Sequence, residues 1–128
     1  MELLLNTHAF IWFINGDNAL PDNVKAEIKN IDNKCFISIA SLWEIAIKIS
    51  LKKLELEADF NKIAELLADN DIQILPITLI HLQKLLKLKY HHRDTFDRII
   101  ISQGLADKLT ILTKDESFKK YRAKVMWE

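Results

Sequence analysis

Four apolar runs of three to five residues recur along the chain, at Leu3-Leu4-Leu5, Cys35-Phe36-Ile37-Ser38-Ile39, Ile72-Gln73-Ile74-Leu75 and Thr110-Ile111-Leu112-Thr113. Each is too short for a helix, and between them the apolar residues repeat at helical spacing. After the first run, Phe10 to Ile14 suggest a short buried helix stopped by the turn residues Asn15-Gly16-Asp17-Asn18. Pro21 opens a second helix, with Val24, Ile28 and Ile31 at helix period. Leu42, Ile45, Ala46 and Ile49 mark a third, for which Ser38 or Ser41 is the available cap. Asp59 can cap a helix striped by Phe60, Ile63, Leu66 and Leu67. Thr78 caps another that is expected to bury Leu79, Leu82, Leu85 and Leu86 and to leave His81 on the surface. A last long helix runs from Asp94 or Thr95 to about Ala106, followed by one helical turn at Glu116 to Lys120 and a terminal edge strand at Val125-Met126-Trp127.

Strands that alternate with helices pair in parallel through right-handed crossovers. The expected fold is therefore an α/β/α three-layer sandwich around a central, mainly parallel sheet of four to five strands. At 128 residues, one domain spanning 1–128 is the default. In such sheets the working crevice lies beyond the C-terminal strand ends, where strand order reverses. Asn6, Glu44, Asp94, Asp97 and the stretch Thr113 to Asp115 are the polar residues that fall there.

The segment Arg93-Asp94-Thr95-Phe96-Asp97-Arg98 shows the two readings such residues carry. Asp94 and Asp97 are three apart at a helix start and share a face, which would suit a divalent cation. The same spacing makes a capping box with Asp in the usual Glu or Gln place. Glu44 has an equally plain alternative, an exposed ion pair with Lys48 one turn on.

Eighteen basic and eighteen acidic residues cancel, so net charge points to neither nucleic acid nor membrane. Distribution says more: Lys84, Lys87, Lys89, His91, His92 and Arg93 form one acid-free run and Lys119, Lys120, Arg122, Lys124 another. Either could meet phosphates or be a solvated face. The single cysteine, Cys35, excludes an intrachain disulfide and a thiolate zinc site. Without a basic leader or a run of membrane-spanning length, no membrane association and a cytoplasmic location are expected. Two glycines cannot build a phosphate-cradling loop. What remains is a set of separated oxygen donors, the chemistry that Mg²⁺ or Mn²⁺ requires for water activation and phosphodiester cleavage. In that setting His8 is expected to pack or cap rather than to ligate. Trp12, Trp43 and Phe96 are expected in core or dimer contacts.

Three segments, Leu4-Leu5-Asn6-Thr7-His8-Ala9-Phe10-Ile11-Trp12, Ser38 to Lys48 around Trp43-Glu44, and His92-Arg93-Asp94-Thr95-Phe96-Asp97-Arg98, together with Thr113-Lys114-Asp115, resemble PIN-domain ribonucleases of the VapC type. The resemblance covers essentially the whole chain. It implies an Mg²⁺- or Mn²⁺-dependent endoribonuclease toxin of a toxin–antitoxin pair, usually a homodimer held inactive by a cognate small antitoxin. By position it implies metal-ligand places at Asn6, Glu44, Asp97 and Asp115, with Asp94 an additional acid. Thr113 would be a hydroxyl that orients ligands or water, and Lys48, Arg93 and Arg98 would lie near RNA phosphate. The departure is Asn6, where the family has Asp. An amide keeps one oxygen but removes a full charge from a site whose affinity depends on charge count. Weak metal binding and little cleavage follow, whether Asn6 silences an enzyme by intent or marks a naturally degenerate copy. The alternative is a non-catalytic PIN-like module that binds RNA or protein. A structure-specific DNA nuclease is disfavoured by the small size and the lack of clamping insertions.

Overall fold

A computed structural model describes residues 1–91 and 94–128. Among them the order is β1 (Glu2–Leu5), α1 (Thr7–Asn15), α2 (Asp22–Lys29), β2 (Lys34–Ser38), α3 (Ile39–Ser50), a 3₁₀ turn (Phe60–Lys62) leading into α4 (Ile63–Asp69), β3 (Ile72–Leu75), α5 (Leu79–Lys87), α6 (Thr95–Ala106), β4 (Thr110–Leu112), a second 3₁₀ segment (Glu116–Tyr121) and β5 (Val125–Met126). The five strands form one sheet in the order β3-β2-β1-β4-β5, and every pairing is parallel. This is the layered α/β fold that the alternation predicted. The chain steps outward from β1 through β2 to β3, then crosses back to β4 on the other side of β1. Strand order therefore reverses between β1 and β4, at the ends of which stand Asn6 and Thr113.

Alternation along β1 divides its leucines between two cores. Leu3 and Leu5 join Phe10, Val24, Ile28, Leu42, Ile45 and Leu67 from α1 to α4 on one face. Leu4 joins Ile100, Ile101, Phe118 and Tyr121 on the other, the α6 side. Gly104 lets α6 press close to the sheet. A Cβ there would stand 2.7 Å from Ile111 Cδ1, so any larger residue must displace a buried strand side chain. Helix starts follow their side-chain chemistry, with Asn6, Ser38, Asp59, Thr78, Asp94 and Asp115 each accepting from a backbone N–H just inside the following segment. Pro21 is the residue before α2 rather than its first turn.

The orientation of α5 differs from expectation. Leu79, Leu82 and Leu86 are exposed, Leu86 at 86%, whereas His81 is 1% exposed. The Thr78 N–H donates to His81 Nδ1 at 3.0 Å, which leaves Nε2 to donate to Asp107 at 2.9 Å. Both ring nitrogens are thus satisfied by groups at the base of the α5–α6 pair, and the helix turns on that polar anchor. The leucine stripe faces outward as a consequence. On α3 a second outward stripe, Ile39, Trp43, Ile47 and Leu51, repeats every four residues.

Candidate metal centre

The turn from β1 into α1 starts the site. Asn6 is 2% exposed. Its Oδ1 accepts from the Thr7 N–H, and its Nδ2 donates to Thr113 Oγ1 at 2.7 Å across the point of strand reversal. The same Thr113 oxygen accepts from the Asp115 N–H at 3.1 Å. Asp115 Oδ1 in turn accepts from the Ser117 N–H and hydroxyl at 2.9 and 2.6 Å. Asn6, Thr113 and Asp115 are therefore one hydrogen-bonded chain. Its order is set by the parallel pairing of β1 with β4.

Glu44 comes from the second turn of α3. One carboxylate oxygen pairs with Lys48 Nζ at 3.0 Å. The lysine side chain is nearly half accessible, so water screening holds that pair to a few tenths of a kcal/mol. The other oxygen, Oε1, is buried and has no hydrogen-bond partner among the described residues. An ionised, partnerless buried oxygen is costly unless something positive meets it. The exposed-ion-pair alternative thus accounts for only half of this carboxylate.

His8 ties the two groups together. Burial holds its imidazole below the usual value of 6.5 although the Asp115 and Glu44 carboxylates pull the other way. Its charge environment therefore contains both acids, together with Lys114 and Lys48. The ring packs on Trp12 and Trp127, and Nε2 accepts a long 3.5 Å bond from the Lys114 N–H. Packing, not ligation, is its visible role. A shallow hollow of about 310 Å³ opens here, lined by His8, Trp12, Lys114 and Asp115.

Asp97 lies on the first turn of α6, and α6 packs against α3. The Trp43 and Phe96 rings meet edge to face at 5.1 Å, which brings the helical turns bearing Glu44 and Asp97 against one another. Asp94 is the N-cap, its Oδ1 accepting from the Asp97 N–H at 3.0 Å. Arg98 is 6% exposed, donates to the Lys89 carbonyl at 3.0 Å and lies 4.1 Å below the Tyr90 ring. Its guanidinium fastens the segment before Asp94. His92 and Arg93 lie outside the described residues.

Sequence reasoning passed over Ser41 as anything but a cap. Fully buried, its Oγ accepts from the Thr7 hydroxyl at 2.9 Å and fixes the start of α1 to α3. A hydroxyl inside an apolar helical stretch was the available signal.

The donor type suits an oxygen-seeking cation, and the Glu44 oxygen without a partner suits it best. The charge is short by one. Among the described residues no three His, Cys, Asp or Glu side chains are grouped closely enough to hold an ion. Position 6 contributes an amide whose N–H₂ is a donor.

The profile described as PIN domain matches residues 3–124. No curated protein sequence matches the chain significantly. Among solved structures, VapBC2 from Rickettsia felis bound to a DNA fragment from its promoter aligns with a TM-score of 0.75 at 22% identity, covering 100% of both chains. FitAcB from Neisseria gonorrhoeae aligns at 0.67 and 18% identity, covering 97% of this chain and 96% of that one. FitAB bound to an IR36 DNA fragment aligns at 0.65 and 17%, covering 97% and 93%. At such identities these likenesses speak to the fold, whereas the profile spans nearly every residue from β1 to the approach to β5. With its polar residues gathered where β1 and β4 part, this chain belongs to the PIN domain family.

Proposed function

We propose that the chain is a metal-dependent endoribonuclease of the VapC type, the toxin of a toxin–antitoxin pair, kept inactive or nearly so by Asn6. The observation that carries this reading is the buried Oε1 of Glu44, which has no hydrogen-bond partner among the described residues and whose carboxylate acts on His8 together with that of Asp115. Glu44, Asp97 and Asp115, with the Asn6 carbonyl oxygen and with Asp94 as an outer contributor, would hold Mg²⁺ or Mn²⁺. Such a cation supplies activation of a water for in-line attack and neutralisation of charge on the phosphoryl oxygens. Thr113 orients position 6 and the Asp115 backbone. Lys48, whose side chain is nearly half accessible, would meet a phosphate once Glu44 has another partner. Arg98 acts by holding the approach to Asp94, and Arg93 remains a proposed phosphate contact.

The outward apolar stripes on α3 and α5 support partners. A homodimer and a small antitoxin would each need such a surface, and exposed patches of this kind mark interaction sites. The Rickettsia and Neisseria neighbours are complexes of two proteins by name, VapBC2 and FitAcB, which supports an antitoxin here. Among the described residues no helix is long and apolar enough to cross a membrane. A cytoplasmic site of action on RNA goes with this reading.

A second reading, a non-catalytic module that binds RNA or protein, draws on the amide donor at position 6 and the carboxylate missing there. Asn6→Asp separates the two. The variant is incubated with RNA and with DNA in Mg²⁺ or Mn²⁺. RNA cleavage supports the toxin, DNA cleavage alone supports a DNA nuclease, and an inert variant leaves the binding module.

A further inference from the structure

The two basic runs, about thirty residues apart in the chain, meet in space. A cavity of about 540 Å³ lies between the end of α5 and the end of the 3₁₀ segment 116–121. Lys84, Lys87 and Lys89 line one wall and Lys120 and Arg122 the other, and no acid lines it among the described residues. In a chain of zero net charge this is five like charges around one hollow. Like charges in proximity cost stability, so packing alone gives no reason for the arrangement.

Two further observations point to a ligand. Tyr121 lines the cavity, is 7% exposed, and its hydroxyl is buried with no hydrogen-bond partner among the described residues. The His91 ring meets the Tyr121 ring edge to face at 5.1 Å, joining the two walls. A buried hydroxyl donor beside several cations is what a phosphate oxygen would satisfy.

We infer that this cavity binds the phosphodiester backbone of RNA, as a docking site separate from the carboxylates. The inference rests on the ribonuclease reading for its choice of polyanion. Connectivity supports it, because both walls lead to the candidate metal centre. The 3₁₀ segment is capped by Asp115 and ends at Tyr121, and Lys89 precedes Asp94, the cap of α6, by five residues. A 3₁₀ rise of ~2 Å per residue separates Asp115 from Tyr121 by roughly 12 Å. At ~3.4 Å per phosphate along a stacked strand, that is about three to four nucleotides. An RNA seated in the cavity would thus present a bond some three to four nucleotides away to the acidic crevice.

The test is binding, read by fluorescence anisotropy of labelled poly(U) on the full chain with Asn6 in place and without divalent cation. The triple variant K84Q/K120Q/R122Q is compared with K25Q/K29Q/K34Q, which removes the same charge elsewhere, and circular dichroism confirms that both fold. The expected result is at least ~10-fold weaker binding for the first only. Its log–log salt slope should fall by about 2, from ~0.7 per neutralised phosphate for three contacts. Tyr121→Phe should weaken binding a few-fold and leave the slope unchanged. Equal losses in the two triple variants, no binding of poly(U) by the parent chain, or binding of labelled poly-glutamate without binding of poly(U) would each overturn the inference, the last by indicating an acidic protein segment instead. If poly(U) binds through the cavity while Asn6→Asp never cleaves, the nuclease reading fails alone. If Asn6→Asp cleaves and the cavity variants keep parental affinity and KM, the docking site fails alone.

Discussion

Exchanging Asn6 for Asp changes a donor into an acceptor at constant shape, so its effects can be worked through bond by bond. The Thr113 hydroxyl now accepts from Asn6 Nδ2 at 2.7 Å. A carboxylate cannot donate, and the hydroxyl would turn its own proton to position 6 while still accepting from the Asp115 N–H. The bond survives in reverse. The Thr7 N–H, at the first position of α1, gains a full negative charge to face, a contribution of roughly 0.3–1 kcal/mol. Against it stands a new charge in a buried corner near Asp115 and Glu44, costing on the order of 1–3 kcal/mol without a counter-ion. The variant should therefore melt a few degrees lower than the parent in EDTA. Adding Mn²⁺ to about 100 times its dissociation constant should return ~2.7 kcal/mol. For a chain of this size that is roughly 10 °C in a thermal-shift titration. The Asn6 parent should show a small fraction of that shift, and Glu44→Gln added to Asn6→Asp should abolish both the shift and RNA cleavage. An Asn6→Asp protein whose melting temperature ignores Mn²⁺ at millimolar concentration, and which leaves RNA intact, would refute the reasoning from charge count.

Three other outcomes are expected. Asp94→Ala removes the α6 cap and should cost about 1 kcal/mol by denaturant melts, whereas Asp94→Asn, an equally good cap, should not; loss of cleavage by Asp94→Asn in the Asn6→Asp background at unchanged stability would make Asp94 a ligand. Burial, with Glu27 adding to it, pushes the Cys35 thiol from the ordinary 9.0 up to about 11, so its stabilising contribution is complete below pH 9 and is lost as pH rises toward 11. Labelling by a disulfide reagent at pH 8 should be ~100-fold slower than in denaturant or more. Leu82→Glu with Leu86→Glu should leave monomer stability within about 0.5 kcal/mol while lowering the mass seen in sedimentation, since both side chains already face solvent.

Those exposed leucines also mark where sequence reading failed. Strands were legible because each is a short apolar run bounded by turn residues, and caps because Ser38, Asp59, Thr78 and Asp94 have the side chains that caps require. The inward face of α5 was not, because hydrophobic periodicity locates a stripe without saying whether the core or a partner covers it. His81 decided the matter through two hydrogen bonds, one of them to Asp107, a residue no local pattern connects to it. The candidate residues were legible as positions, since Asn6, Glu44, Asp97 and Asp115 all fall just past strands or early in helices. Its bonding was not: that Arg98 is buried under Tyr90 and that Glu44 keeps one oxygen without a partner among the described residues depend on packing between separate segments. Nor could two separate lysine-rich stretches reveal that they share one hollow.

The central place of β1 in the sheet bears on when the molecule can act. Asn6 leaves the ribosome well before its partner Thr113, which lies 107 positions later. The strand that carries Thr113 pairs directly with β1. Pairings this distant in sequence form late and slowly. A chain not yet extended past Thr113 therefore has no assembled crevice, and any cleavage by the Asn6→Asp variant must await synthesis of β4.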